Sequence, residues 1–432
     1  MSRSVVSGKG VPSDREPGVG LALVRILNFH DLLAVYDDVV LDDIAAFIDS
    51  QLAEWEGAGP MISLEGPYFV FDPGVSRAID AYERDVLAER INALIGFGPV
   101  VCGAEEAFLH VQTTFIARDD PAPLPGEGRR MLPYDARWVV GRTKDEGGPA
   151  SAYKADMAVA IKLFSQLSAR ALTLAFQPVV AAGANNSVIY WEALLRLDSD
   201  DVEAGHSTCT SGIVALERLG LVSRIDRSVI WAVLGLLEQH KGIQIACNVS
   251  ARSLKPDAWW RLLFQALGQR PEAASRLIIE LTETSAITQE DEAFAILQTL
   301  RGLGCKIAVD DFGAGCSTLD FVVRFRPSFI KIDKTYLPST PALPSGESSG
   351  LLRNLVALCR CLCPCVIAKG IESELHRSEA IEAGAQGLQG YLFGMPHVLP
   401  YWLREPVVVR DAFEPGHPSH TQSETVVAHV KV

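Results

Sequence analysis

From Leu172 to about Trp402 the chain alternates between two hydrophobic periods. One is a set of short apolar runs: "LTLAFQPVV", "VIYWEALLRL", "IQIACNVS", "RLIIELTE", "KIAVDDFG", "SFIKID", "CVIAKGIE" and "GLQGYLFG". Amphipathic stretches lie between them. Ile225, Val229, Ala232, Val233, Leu236 and Leu237 fall on one face at the 3.6-residue period of a helix. Ala293, Ile296, Leu297 and Leu300 do the same, and Gly302 and Gly304 stop that helix. Leu352, Leu355, Val356 and Cys359 mark a third. Strand–helix units repeated in this way predict an α/β fold. The favoured form is a closed (β/α) barrel of TIM type, with an open doubly wound sheet as the alternative.

The polar residues favour the barrel. Glu192, Asn248, Glu280, Asp310, Lys331 and Lys369 each close an apolar run. In a β/α barrel that end of the strands forms the active-site rim. Taken singly, each is an ordinary strand terminus. Taken together, several carboxylates on one rim repel one another unless a cation binds them. Hard oxygen ligands of this kind suit magnesium or manganese. Lys369, in "VIAKGIES", is the odd member, a cation where other strand ends carry carboxylates.

The 432 residues allow two or three domains. A net charge of −14 argues against nucleic acid and anionic membranes as partners. No segment reaches the ~20 apolar residues of a membrane span. The N-terminal stretch lacks an apolar signal core, so a cytoplasmic location is expected. The nine cysteines form no disulfide framework. In "CRCLCPC", Cys359, Cys361, Cys363 and Cys365 recur at every second position rather than in C-x-x-C pairs. They read as small buried apolar groups.

The first half has a different order. "LALVRI" reads as a strand, followed by a helix from about Phe29 to Glu54 and a strand through "MISLEGPYFVF". A helix over "ERDVLAERINALIGF" and a strand over "FLHVQTTFIA" complete a smaller mixed α/β domain. Arg118 to Ser151 reads as a long loop, and a helix over "YKADMAVAIKLFSQLSARA" joins the halves. The expected divisions are a disordered N-terminus over 1–18, domains over 19–165 and 170–408, and a flexible tail over 411–432.

The motifs "WEALLRL", "CNVS", "IIELTET", "VDDFGAGCSTLDF", "FIKID", "AKGIE" and "QGYLFGMP" occur in the order and spacing of the EAL domain family. The second half therefore resembles that family, which hydrolyses cyclic di-GMP to pGpG on a β/α barrel with magnesium or manganese. The resemblance implies that Glu192, Asn248, Glu280 and Asp310 hold a first metal. Asp310 and Asp311 would serve a second. Lys331 would orient the attacking water, and Arg196 would meet a ligand phosphate. Gln177 and Gln389 would line the pocket, and Glu283 would brace the loop after "DDFG". The family's barrels often form homodimers.

One departure stands out. "AKGIE" corresponds to a family stretch typically A-E-G-V-E, whose first glutamate is regarded as the general base. Here that position is Lys369, while the later glutamate survives as Glu372. An ammonium beside carboxylates stays protonated and cannot take a proton from water. The expected function is a cyclic di-GMP receptor with weak or no turnover. The alternatives are an active phosphodiesterase in which Glu372 or another group replaces the lost base, and a scaffold for unknown protein partners. The first half resembles an eroded GGDEF (diguanylate cyclase) domain. "SLEGPYF" stands where R-L-G-G-D-E-F is expected, which implies no cyclase activity.

Overall fold

The computed structural model describes residues 20–36, 40–55, 57–75, 77–116, 148–183, 185–197, 208–282, 290–313, 319–337 and 348–414. Glu283, the expected N-terminal stretch, most of the expected long loop and residues 415–432 lie outside them.

In the first half, β1 (Leu21–Ile26) pairs antiparallel with β3 (Tyr68–Phe71) and β6 (Val111–Ile116), and β2 (Met61–Glu65) adds to β3. The sheet order is β2-β3-β1-β6. The single run "MISLEGPYFVF" is thus a hairpin. Gly66, at φ 55°, sits in the turn, where a residue with a Cβ would be strained. The helix expected from Phe29 to Glu54 is two helices, α1 (Phe29–Tyr36) and α2 (Val40–Ala53). Helix α3 (Ala81–Gly96) starts at a capping box, in which Asp80 accepts from the Glu83 N–H and Glu83 accepts from the Asp80 N–H. A small hairpin, β4 (Val100–Cys102) with β5 (Glu105–Ala107), was not apparent from the sequence. Helix α4 (Pro149–Ser168) begins with Gly148 as cap and Pro149 in its first turn, and leads into the second half.

The second half is a closed barrel of eight strands: β7 (Leu172–Ala181), β8 (Val188–Leu197), β9 (Ile245–Ser250), β10 (Leu277–Thr282), β11 (Lys306–Phe312), β12 (Phe329–Ile332), β13 (Cys365–Ala368) and β14 (Gly387–Gln389). All eight coincide with apolar runs in the sequence. Pairing of β14 with β7 closes the ring. The ring is not all parallel, because β7 runs against both β8 and β14. The cause is local: only residues 182–187 join β7 to β8, too few for the helical crossover that a parallel pair needs. Helices α5 (Thr208–Leu219), α6 (Ser223–Gln239), α7 (Ala258–Gly268), α8 (Pro271–Ala274), α9 (Glu290–Gly302), α10 (Leu319–Phe325), α11 (Ser348–Arg360) and α12 (Glu374–Glu382) follow the strands. A short strand, β15 (Val407–Val408), adds to β7. No helix among the described residues is long and apolar enough to cross a membrane.

One apolar core runs through both halves, and buried charges pin them together. Arg224 of α6 forks onto Asp411 at 2.5–3.2 Å and donates to the carbonyls of Gly96 and Phe97. Its guanidinium also lies over the rings of Phe97, Phe108, Phe164 and Phe413. Arg227, one turn on, bridges Glu89 of α3 and Asp257. The chain therefore stays packed through Glu414, past the point where a loose tail was expected, because Asp411 is 1% exposed and must keep its cation.

His110 sits at the same junction. Burial, aided by Lys255 and Arg227, pushes its imidazole down to about 3. The unfolded chain then binds the extra proton first, so stability is complete above the unfolded value and falls as pH drops toward 3. Relative to His110→Gln, the wild type is expected to lose roughly 1–3 kcal/mol more between pH 7 and pH 4. Urea unfolding at the two pH values checks this, and equal losses would exclude His110 as the cause.

Candidate ligand and metal site

Side chains alternate along a strand, so every second residue of a barrel strand points inward. Val179, Tyr190, Ala246, Ile278, Ala308, Phe329 and Ile367 form one such inner layer, an apolar cluster separate from the main core. Gly387 completes the ring as glycine, because a Cβ there would lie 2.7 Å from Ile367 Cγ1. Two residues further along each parallel strand stands a polar residue: Glu192, Asn248, Glu280, Asp310, Lys331, Lys369 or Gln389. On the reversed strand β7 the polar residue lies two positions earlier, at Gln177, paired with Glu192. Each of the eight strands thus supplies one polar group to a single level above an apolar plug.

The contacts form a network. Lys331 Nζ, fully buried, donates to Glu192 at 2.8 Å and Glu280 at 2.6 Å, and lies 3.5 Å from Asp310. Asn248 donates to Glu192 at 2.9 Å. Gln389 donates to Glu192 at 2.6 Å and to Gln177 at 3.2 Å. Tyr190 Oη donates to Glu280 at 2.8 Å. The sequence reading missed Tyr190 because it resembles any strand aromatic. Its position two residues before Glu192, on the same face, is the signal that could have found it.

The electrostatics follow from this packing. Burial favours a neutral Glu192, but Lys331, Lys369 and the Gln389 hydrogen bond outweigh it and pull the carboxyl down to about 2. Glu280 moves the other way, up to about 8, because complete burial and the Glu192 and Asp310 charges overcome Lys331. Burial would deprotonate Lys331, yet the three carboxylates around it hold it well above the ordinary lysine range.

Asp310 and Asp311 are neighbours on a strand and should face opposite ways. Instead both reach Lys369. Its Nζ lies 2.8 and 2.9 Å from the two Asp310 oxygens and 2.6 Å from Asp311 Oδ1. The register slips between Val309 and Phe312, and Asp311 adopts φ 50°. Such a bulge re-aims side chains, and aspartate tolerates this conformation better than most residues. Asp310 and Asp311 outweigh the desolvation of Lys369 and raise its pKa above normal. Gly370 follows at φ 71°, where a Cβ would lie 2.3 Å from Lys334 Cβ.

Two expected site residues stand apart. Glu372 is exposed, and no described contact joins its carboxylate to this cluster. Arg196 lies on the Glu192 face, two pleats along, half-buried and bonded to the Leu195 carbonyl. The cysteine run does not converge either. Cys359 and Cys363 are buried, whereas Cys361 is exposed and donates to the Ala357 carbonyl.

Among the described residues, the group with metal-ligand geometry is Glu192, Glu280 and Asp310, whose oxygens lie within 4.8 Å of one another. With the Asn248 amide this is an oxygen-rich donor set suited to a hard divalent ion. Gln389 Oε1 is also buried there with no hydrogen-bond partner. The residues fit such an ion.

A closed barrel carrying one carboxylate-rich polar layer offers the oxygen donors that suit a hard cation. The family model described as "EAL domain" matches residues 161–396. The chain belongs to the EAL domain family. The bifunctional diguanylate cyclase/cyclic di-GMP phosphodiesterase MucR of Pseudomonas aeruginosa is 30% identical over 290 residues, covering 63% of this chain and 41% of that protein. The cyclic di-GMP phosphodiesterase RocR of the same organism is 34% identical over 170 residues, covering 38% of this chain and 43% of that protein. The chain thus spans under half the length of these relatives. A solved structure described as "PaMucR Phosphodiesterase, c-di-GMP complex" is 30% identical, with a TM-score of 0.45 over 52% of this chain and 97% of that one.

Proposed function

We propose that the barrel binds cyclic di-GMP over its polar layer and turns it over slowly or not at all. Family membership and the activities of the relatives support the ligand class. The observation that carries the loss of turnover is the Lys369 ammonium locked onto Asp310 and Asp311. A group held protonated in this way cannot accept a proton from water, and exposed Glu372 does not take its place.

Glu192, Asn248, Glu280 and Asp310 would hold magnesium or manganese, with Asp311 beside them. A bound ion supplies Lewis-acid stabilisation of phosphate charge. Lys331 keeps Glu192 and Glu280 close together, which sets their spacing before any ion or ligand arrives. Arg196 would receive a phosphate, and Gln177 and Gln389 would fix the pocket wall. The exposed Leu319 and Val323 of α10 support a homodimer through the barrel.

We assign the first half, over 19–165, as a degenerate GGDEF-like module without cyclase activity, and 170–408 as the EAL domain. The β2-β3-β1-β6 sheet, and Gly66-Pro67 at the tip where an acidic signature would stand, support the assignment.

Calorimetry with cyclic di-GMP, with and without manganese, tests the proposal when pGpG is assayed on the same sample. The expected outcome is micromolar or tighter binding with turnover well below ordinary enzyme rates. Manganese-dependent pGpG formation at about 1 per second or faster would refute the receptor assignment. Absence of binding under both conditions would leave a scaffold role.

A further inference from the structure

The polar layer carries its own counterions, in a definite proportion. Counted as ligands of an ion, and so ionised, Glu192, Glu280, Asp310 and Asp311 contribute four negative charges, and Lys331 and Lys369 two positive ones. The formal balance is −2, the charge that one divalent ion cancels. With glutamate at position 369 the same layer would stand at −4, which two divalent ions cancel. Exchanging glutamate for lysine therefore changes the layer by the charge of one such ion.

The geometry matches this arithmetic. Lys369 Nζ is not merely near the aspartates. It takes both oxygens of Asp310 and one of Asp311 at 2.6–2.9 Å, an arrangement otherwise suited to a cation held between two carboxylates. The bulge at Asp311 exists to bring those oxygens together, and Gly370 lets the backbone turn tightly behind the lysine. Lys331, by contrast, donates to Glu192 and Glu280 and stands farther from Asp310, at 3.5 Å. The two ammoniums thus divide the layer into two halves that share Asp310.

We propose that Lys369 Nζ is a tethered substitute for one divalent ion, so that this barrel takes a single divalent ion, on the Glu192–Asn248–Glu280–Asp310 half. The inference deepens the ligand-site assignment above and rests on it for the role of the layer. A second ion between Asp310 and Asp311 would have to expel an ammonium that those carboxylates already satisfy, or lie against it with like charge. The first half differs because Lys331 takes only Oε2 of Glu192 and of Glu280, which leaves their Oε1 atoms to the neutral donors Asn248 and Tyr190. That half must accept one if a phosphodiester anion is to enter a layer that is still negative.

The test uses the full chain and manganese alone. Native mass spectrometry and calorimetry should count one tightly held ion per chain in the wild type and two in Lys369→Glu. Two ions in the wild type, none in the wild type, or one in both proteins would each overturn the proposal. A second measurement needs no variant. The manganese electron paramagnetic resonance spectrum of the wild type should be that of an isolated ion, and a spin-coupled pair would refute the proposal even if Lys369→Glu fails to fold. Because ligand is absent from both measurements, failure to bind cyclic di-GMP would overturn the functional assignment separately and leave the ion count standing.

Discussion

Lys369→Glu is expected to raise pGpG formation from cyclic di-GMP about 100-fold or more at saturating manganese. Two effects act in the same direction. A carboxylate can accept a proton, which the ammonium cannot, and general-base catalysis is typically worth about 100- to 10,000-fold. The substitution also frees the Asp310 and Asp311 oxygens that Lys369 now occupies. A steady-state assay of pGpG release measures the gain. An unchanged rate in a folded variant that binds ligand would place the lesion elsewhere.

The second large effect is on the fold. Arg224→Ala is expected to cost about 3–5 kcal/mol, because it strands Asp411, which is 1% exposed, without its cation. The loss also removes donors to the Gly96 and Phe97 carbonyls and empties a space walled by four aromatic rings. These contacts tie α3 of the first half, α6 of the barrel and the segment after the barrel to a single side chain. Denaturant unfolding should show the lowered stability, and hydrogen exchange should place the earliest opening at that junction. A loss below about 1 kcal/mol would mean that the ion pair and its cage contribute little beyond a surface bridge.

The barrel was legible because a buried strand writes itself into sequence as an apolar run. Each of the eight runs from "LTLAFQPVV" to "GLQGYLFG" became a strand. The smaller domain was less legible. A hairpin with a two-residue turn, such as that at Gly66-Pro67, interrupts its hydrophobic pattern too briefly to be seen, so "MISLEGPYFVF" looked like one strand. The short connection at 182–187 did hold the evidence that β7 must run backwards.

For the site, the residue types and their strand-end positions were fixed by sequence alone. That determined which groups could meet: the carboxylates, Asn248, the two glutamines and the two lysines. Sequence also raised the problem of Lys369. What it could not decide was which carboxylates each lysine would take, because strand alternation predicts that Asp310 and Asp311 point apart. The backbone at Asp311, turned to φ 50° within a bulge, overrides that alternation and gives both aspartates to Lys369. Closure of the ring brings Lys331 to Glu192 across 139 residues of chain. Both pairings depend on backbone geometry and ring closure, which are set when eight strands pack around one apolar plug, and no local stretch of sequence contains them.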